Sequence, residues 1–307
     1  SVLILFGLAA LAGAVAIWAA RSLALSDLAV LPLAGFVFRL LRDPAEFEPL
    51  FTQFRDAALA LRAPGVAAPA TMTLIVAIAV AMTLAFAART TWAPGDRPRW
   101  WAALAAATLP ATGFALEVQW APREVIGPYP WALHAMAAAA LMPGLALWFA
   151  RAGRGGPAAV AYAALSALTL ITFAMFAVLT KGALTLALAA LIVAAAGLDR
   201  RFRLPELGWF VQLATAVLGW RLVVDPGVLW AVEQAPLWQA LAAHGGAVAA
   251  MAIGLRLLSG LDRRGARVVL ESGLFAFAAL LANVVLMRVL QERLWANEGF
   301  HWIAALM

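Results

Sequence analysis

From Gly155 to Thr180 the chain runs for 26 residues without one charged side chain, and this feature narrows its possible folds most. A bilayer core about 30 Å thick is crossed by roughly 20 apolar residues in a helix, because lipid offers backbone amides no partner and a helix satisfies its own. Four more runs obey the same rule: Val2 to Ala20, Ala63 to Ala88, Trp131 to Ala150 and Ala235 to Leu255. Trp100 to Leu116, Gly182 to Leu198, Leu207 to Val224 and Val268 to Leu290 are shorter, or carry a charge near one end that can snorkel to the interface. Ser22 to Leu41 has a charge-free core only from Leu28 to Phe38, so it reads as a span or a re-entrant helix. With 65% hydrophobic and 12% charged residues, a soluble domain, at roughly 45 to 50% apolar, is excluded.

The expected fold is an all-α integral membrane protein of about ten transmembrane helices in tandem antiparallel hairpins. Ser1 leads straight into one apolar run and Gly299 to Met307 begins another, with no basic segment or cleavage site of a secretory signal, so the sequence reads as a fragment of a longer polytopic chain. Residues 1–307 are expected to form a single bundle. It divides into a first hairpin with an outward amphipathic segment (1–62), central spans (63–181), tandem hairpins (182–298) and the start of a further span (299–307).

Charge sets the orientation. The turns after the first, third, fifth, seventh and ninth spans hold twelve arginines and three acids, while the alternate connections hold six basic residues and nine acids. Cytoplasmic loops retain arginine and lysine, so the first set is expected inside and the longer, more acidic set outside. The arginine is dispersed among short turns, whereas a nucleic-acid interface needs a contiguous basic face, so no nucleic-acid partner is expected. The absence of cysteine excludes disulfides, thiolate catalysis and cysteine-ligated metal centres. Membrane lipids and other membrane subunits are the expected partners, in the inner membrane of a bacterium.

Two of the arginine-rich turns are copies, Gly197-Leu198-Asp199-Arg200-Arg201 and Gly260-Leu261-Asp262-Arg263-Arg264. Two outward helix ends also match: Arg39-Leu40-Leu41-Arg42-Asp43-Pro44 and Arg221-Leu222-Val223-Val224-Asp225-Pro226, with an echo in Arg288 to Glu292. Each repeated unit reads as a helical hairpin in which glycine closes the inward helix and proline stops the outward one. An arginine four residues before an acid shares its face and lies at the negative end of the helix dipole. Arg39, Arg221 and Arg288 are thus candidates for an anion or substrate clamp, or more simply cap their helices. Close packing between spans is expected along the small-residue seams Gly246, Ala250, Gly254 and Ala77, Ala81, Ala85.

Reactive groups are few. Under this orientation His134, His244 and His301 all fall toward the outer face, near Glu117, Asp43 and Asp225 in depth. A histidine with a carboxylate can do general acid–base work, and an ionisable residue within a membrane is a functional candidate by default. Histidine beside tryptophan, as in Trp131 to His134 and His301-Trp302, equally suits an interfacial belt. The outward segments Glu46 to Leu61 and Gly227 to Trp238 mix aromatic and charged residues, as interfacial helices do. No nucleotide loop, zincin, kinase or hydrolase signature is present, and no cofactor or metal ligand set is expected. Pro110 and Pro143 interrupt two spans, but their neighbours are apolar, unlike the midplane polar sites of transporters.

The alanine- and leucine-rich span, the D-R-R turn followed by proline, and the next span ending in R-L-x-x-D-P, as in Asp199 to Pro226, resemble the bacterial predicted-membrane-protein family known as domain of unknown function 2339. The likeness is clearest over Gly182 to Trp238 and extends to Ser22 to Pro44. It implies a long chain with many spans and brings no catalytic residues. The function expected first is a non-catalytic membrane scaffold or accessory subunit of an envelope complex. The alternatives are a transferase-like envelope enzyme acting on a lipid-linked or outer-leaflet substrate, and a secondary transporter. The enzyme would use His134 or His244 as proton shuttle, Glu117, Asp43 or Asp225 as base, and Arg39 or Arg221 against phosphate.

Overall fold

A computed structural model describes residues 7–8, 30–42, 56, 71–92 and 97–295, and among them all regular structure is helical. The long helices are α1 (Val30–Leu41), α2 (Thr71–Trp92), α3 (Arg97–Gln119), α4 (Pro128–Ala152), α5 (Gly156–Val178), α6 (Lys181–Phe202), α7 (Leu207–Val223), α8 (Leu237–Leu257) and α9 (Arg264–Trp295). Seven of these, α2 to α6 with α8 and α9, are long and apolar enough to cross a membrane, and α7 with its bent continuation makes an eighth. The run Val2 to Ala20 and the segment Glu46 to Leu61, apart from single residues, lie outside the described residues, as do Asp43 and His301. The helices through Val178 form one compact unit and those after it a second.

In the first unit α3 is the hub, packing on α1, α2 and α5, while α4 packs along α5. The buried stripe of α2 is Met72, Ile75, Ala79, Met82 and Phe86, spaced as one face of a helix. Ala77 and Ala81 are exposed on the opposite side. The expected alanine seam is therefore not a packing surface here, because the bulkier stripe fills the groove instead. Pro110 and Pro143 sit inside helices that continue past them. Buried hydroxyls satisfy themselves: Thr83, Thr90, Thr108 and Thr112 each donate to the carbonyl four residues back, which removes the cost of a bare hydroxyl in an apolar setting. Gly153 ends α4 at φ +65°, a left-handed backbone that glycine adopts without steric cost. Arg154 then donates to the Thr91 carbonyl at 2.8 Å, so the α2–α3 and α4–α5 turns share one end.

The second unit is a four-helix ring in which α6 packs on α7 and α8, and α9 packs on the same two. α6 and α9 are thus diagonal. Gly246 faces Leu186 of α6 and Gly254 faces Leu270 of α9, so the glycine seam of α8 serves two neighbours. Halfway along, Gly273 lies against Met251 and Thr215, where its missing side chain lets three helices approach. α7 stops at Val223, and the chain continues at 61° through the short helical stretch Gly227–Gln234. The expected interfacial helix there is instead partly sunk into the unit, with Trp230, Ala231 and Val232 buried and Leu229, Glu233 and Gln234 outward.

The two copied turns differ locally. In the first copy α6 runs past Gly197 to Phe202 and is ended by Arg203 at φ +55°, whose N–H reaches the Asp199 carbonyl at 2.7 Å. Glycine therefore does not close this helix, contrary to the hairpin expectation. In the second copy Gly260, at φ +78°, does lie in the turn between α8 and α9. The longer α6 carries Asp199 on a helical backbone into the interior, where it is 1% exposed.

Candidate functional site

The polar side chains gather at the helix ends of each unit. In the first unit α3 delivers Glu117 and α4 delivers Trp131 and His134, joined through the one-turn helix Pro122–Val125. Trp131 is buried between the other two. Its indole N–H donates to Glu117 Oε2 at 2.9 Å, and its ring lies 6.1 Å from the His134 ring, centroid to centroid. Arg123 Nη1 stands 3.9 Å from the same carboxylate, a loose and half-exposed contact. The Pro130 carbonyl lies 2.7 Å from His134 Nδ1. That carbonyl accepts a hydrogen bond from Nδ1, and Nε2 lies 3.1 Å from the Thr73 hydroxyl. Below them lies a cavity of about 20 Å³, lined by Val76, Leu109, Thr112, Phe173 and others, room for about one water. Glu117 and His134 thus share a neighbourhood but not a bond.

In the second unit Arg221, Arg288 and His244 are bound to backbone. Arg221 is buried and joins Asp225 Oδ2 at 3.3 Å and the Lys181 carbonyl at 3.1 Å. The i, i+4 pair expected from sequence is present, and it also fastens the start of α6. Arg288 turns to the Ala231 carbonyl, through Nε at 2.8 Å and Nη2, and to the Ala235 carbonyl. It thereby caps the short helix Gly227–Gln234 at its negative end. His244 is 1% exposed, its Nδ1 lies 3.0 Å from the Ala240 carbonyl, and Nε2 is buried without a partner. Arg39 lies half-buried on α1, and its expected acid Asp43 falls outside the described residues.

Sequence reasoning missed three groups. Arg89, assigned to a loop, is buried in the last turn of α2 with its guanidinium 5.6 Å over the Trp101 ring. Trp120 donates its indole N–H to the Leu40 carbonyl at 3.0 Å and so holds α1 to α3. Asp199 accepts both Nε (2.7 Å) and Nη2 (3.0 Å) of Arg263, a bidentate pair tying the diagonal helices together. That hydrogen bond raises the guanidinium above its ordinary range. The 63-residue offset of the copied turns was the available signal for this pair. Among the described residues no three His, Asp or Glu side chains converge where a metal ion could sit.

The helices and their terminal pairs define an all-α polytopic membrane protein whose charged side chains lie mostly toward helix ends. The chain belongs to the family described as "Predicted membrane protein (DUF2339)", whose pattern matches residues 1–307. The likeness read from Gly182 to Trp238 therefore extends along the whole sequence. No curated protein and no solved structure matches the chain.

Proposed function

We propose that this chain is a non-catalytic scaffold or accessory subunit of a complex in a bacterial inner membrane, with its arginine-rich turns on the cytoplasmic side. The observation that carries this reading is how the candidate groups are spent. Arg221, Arg288 and His244 bond to backbone carbonyls, and Glu117 and His134 bond to Trp131 and Thr73 instead of each other. Catalysis needs acid, base and substrate within hydrogen-bond reach of one point, and local pairing supports structure instead. The outer face of α9 adds support, because Asn283 is exposed there on an apolar span and makes no hydrogen bond. A carboxamide facing lipid is the kind of group that binds a neighbouring membrane helix.

The test is complementation of a deletion strain with Glu117→Gln, His134→Gln and His244→Gln. The proposal expects full rescue by each variant that reaches wild-type membrane abundance. Loss of rescue by Glu117→Gln or His134→Gln at wild-type abundance would move the account to the envelope enzyme, in which that residue handles a proton.

A further inference from the structure

The copied turns pair in one direction only. Asp199 of the first copy takes Arg263 of the second, but Asp262, the matching acid, receives no arginine side chain in return. Arg200 goes instead to the Arg256 and Leu257 carbonyls at the end of α8. This asymmetry leaves Arg264 of the second turn without a side-chain partner and Arg267 with only a loose one. Arg264 is exposed and makes no hydrogen bond. Arg267 has a buried, unbonded Nε, and its Nη2 stands 3.8 Å from Glu271 Oε1, beyond hydrogen-bond reach. Both arginines line a cleft of about 330 Å³ with Leu261, Asp262, Val268 and Glu271.

The surroundings favour an anion. The two turns and their flanking helix ends, residues 198–207 and 255–271, carry seven arginines against four acids. The first turn of α9 contains no acid, so its N–H groups and the positive end of the helix dipole add to the field of Arg264, with Asp262 the acid just ahead of them. The cleft also has an apolar side: Val268, 53% exposed, opens the long apolar run of α9, which has little burial along its length. A soluble anion would use only the arginines. A phospholipid uses both, with phosphate on the guanidiniums and acyl chains along α9.

We propose that Arg264 and Arg267 bind the phosphate of an anionic phospholipid headgroup at the cleft between the α8–α9 turn and the first turns of α9. Arginine suits this ligand because its planar fork matches two phosphate oxygens. Basic pockets at the ends of membrane helices recognise anionic headgroups by the same chemistry. The assignment does not depend on the scaffold reading.

The test is lipid titration of the delipidated full chain in neutral detergent, followed by native mass spectrometry, with phosphatidylglycerol, phosphatidylcholine and sodium phosphate as separate probes. Phosphatidylglycerol is expected to bind in preference to phosphatidylcholine. Arg264→Gln and Arg267→Gln should each weaken it roughly fivefold, and Arg264→Lys should keep part of the affinity. Arg151→Gln, which removes an exposed charge from the other unit, should change nothing. Intrinsic tryptophan fluorescence and gel filtration confirm that each variant is folded. Unchanged phosphatidylglycerol binding by both glutamine variants overturns the proposal, as does equal weakening by Arg151→Gln. Arginine-dependent binding of sodium phosphate without phosphatidylglycerol binding overturns the lipid assignment in favour of a soluble anion.

Discussion

Replacing Arg263 with glutamine should damage the fold more than any other single loss of charge in the second unit. The Asp199 carboxylate is 1% exposed and accepts two nitrogens of one guanidinium, at 2.7 and 3.0 Å. Removing the arginine strands that carboxylate where water cannot reach it, which costs ~3–5 kcal/mol when one partner of a buried pair is deleted. The reverse change, Asp199→Asn, leaves a guanidinium whose side chain is 16% exposed and lies beside the aqueous turn. That cation regains part of its hydration, so the cost should be about 1–3 kcal/mol, the penalty for losing a charged hydrogen bond. The double variant Asp199→Asn/Arg263→Gln should be more stable than Arg263→Gln alone, because the stranded charge is gone. Reversible unfolding in dodecyl maltoside with a rising mole fraction of dodecyl sulfate, followed by tryptophan fluorescence, measures all three variants. If Arg263→Gln lies within about 1 kcal/mol of wild type, as for an exposed pair, or is no worse than Asp199→Asn, the reasoning is refuted.

Other consequences are as direct. Gly273→Val places new atoms against Met251 Sδ and Thr215 Cγ2, which a Cβ alone would already meet at 3.1 and 3.2 Å; about 1–3 kcal/mol of overpacking should appear in the same unfolding assay. Arg288→Met strips the donors from the Ala231 and Ala235 carbonyls, so hydrogen exchange should speed up at amides 230–235 while the middle of α8 keeps its protection. Trp120→Phe keeps an aromatic ring, though a smaller one, and loses the bond to the Leu40 carbonyl; a loss of about 1–3 kcal/mol is expected, with a protease site opening near α1. Because the chain has no cysteine, single cysteines at Ser259 and Gln234 report sidedness cleanly. An impermeant maleimide applied to intact spheroplasts should label Gln234→Cys and spare Ser259→Cys, and the opposite result would reverse the orientation.

The helices were legible because lipid imposes one rule on every span. The run of 26 uncharged residues after Arg154 became α5, within two residues at its far end. Asp225-Pro226 marked the end of α7 because proline removes a helical N–H and crowds the preceding turn, and here an aspartate and a glycine flank it. The partners of the polar groups were less legible, for a physical reason. A repeated turn says that four arginines and two acids lie at one end, but only the ring arrangement, with α6 diagonal to α9, decides that Asp199 meets Arg263 and not Arg200. Arg288 illustrates the same limit: nothing in its sequence neighbourhood points to the two carbonyls, 53 and 57 residues away, that the bend after α7 brings to it. Arg89 was hidden in the opposite sense, since a charge next to a turn reads as solvated and only packing shows Trp101 beneath it. The Ala77 and Ala81 seam went wrong because alanine is common here and its spacing alone does not say which face is buried.

The central claim is that the candidate reactive groups serve structure, each with its own local partner. The most direct measurement is an experimental structure of the intact protein in a lipid nanodisc, resolved well enough to place side chains. The account predicts Glu117 on the Trp131 indole, His134 on Thr73, His244 on the Ala240 carbonyl and Arg221 on the Lys181 carbonyl, as in the geometry above. A water-filled cavity on which Glu117 and His134 converge within hydrogen-bond reach of a common ligand would contradict it.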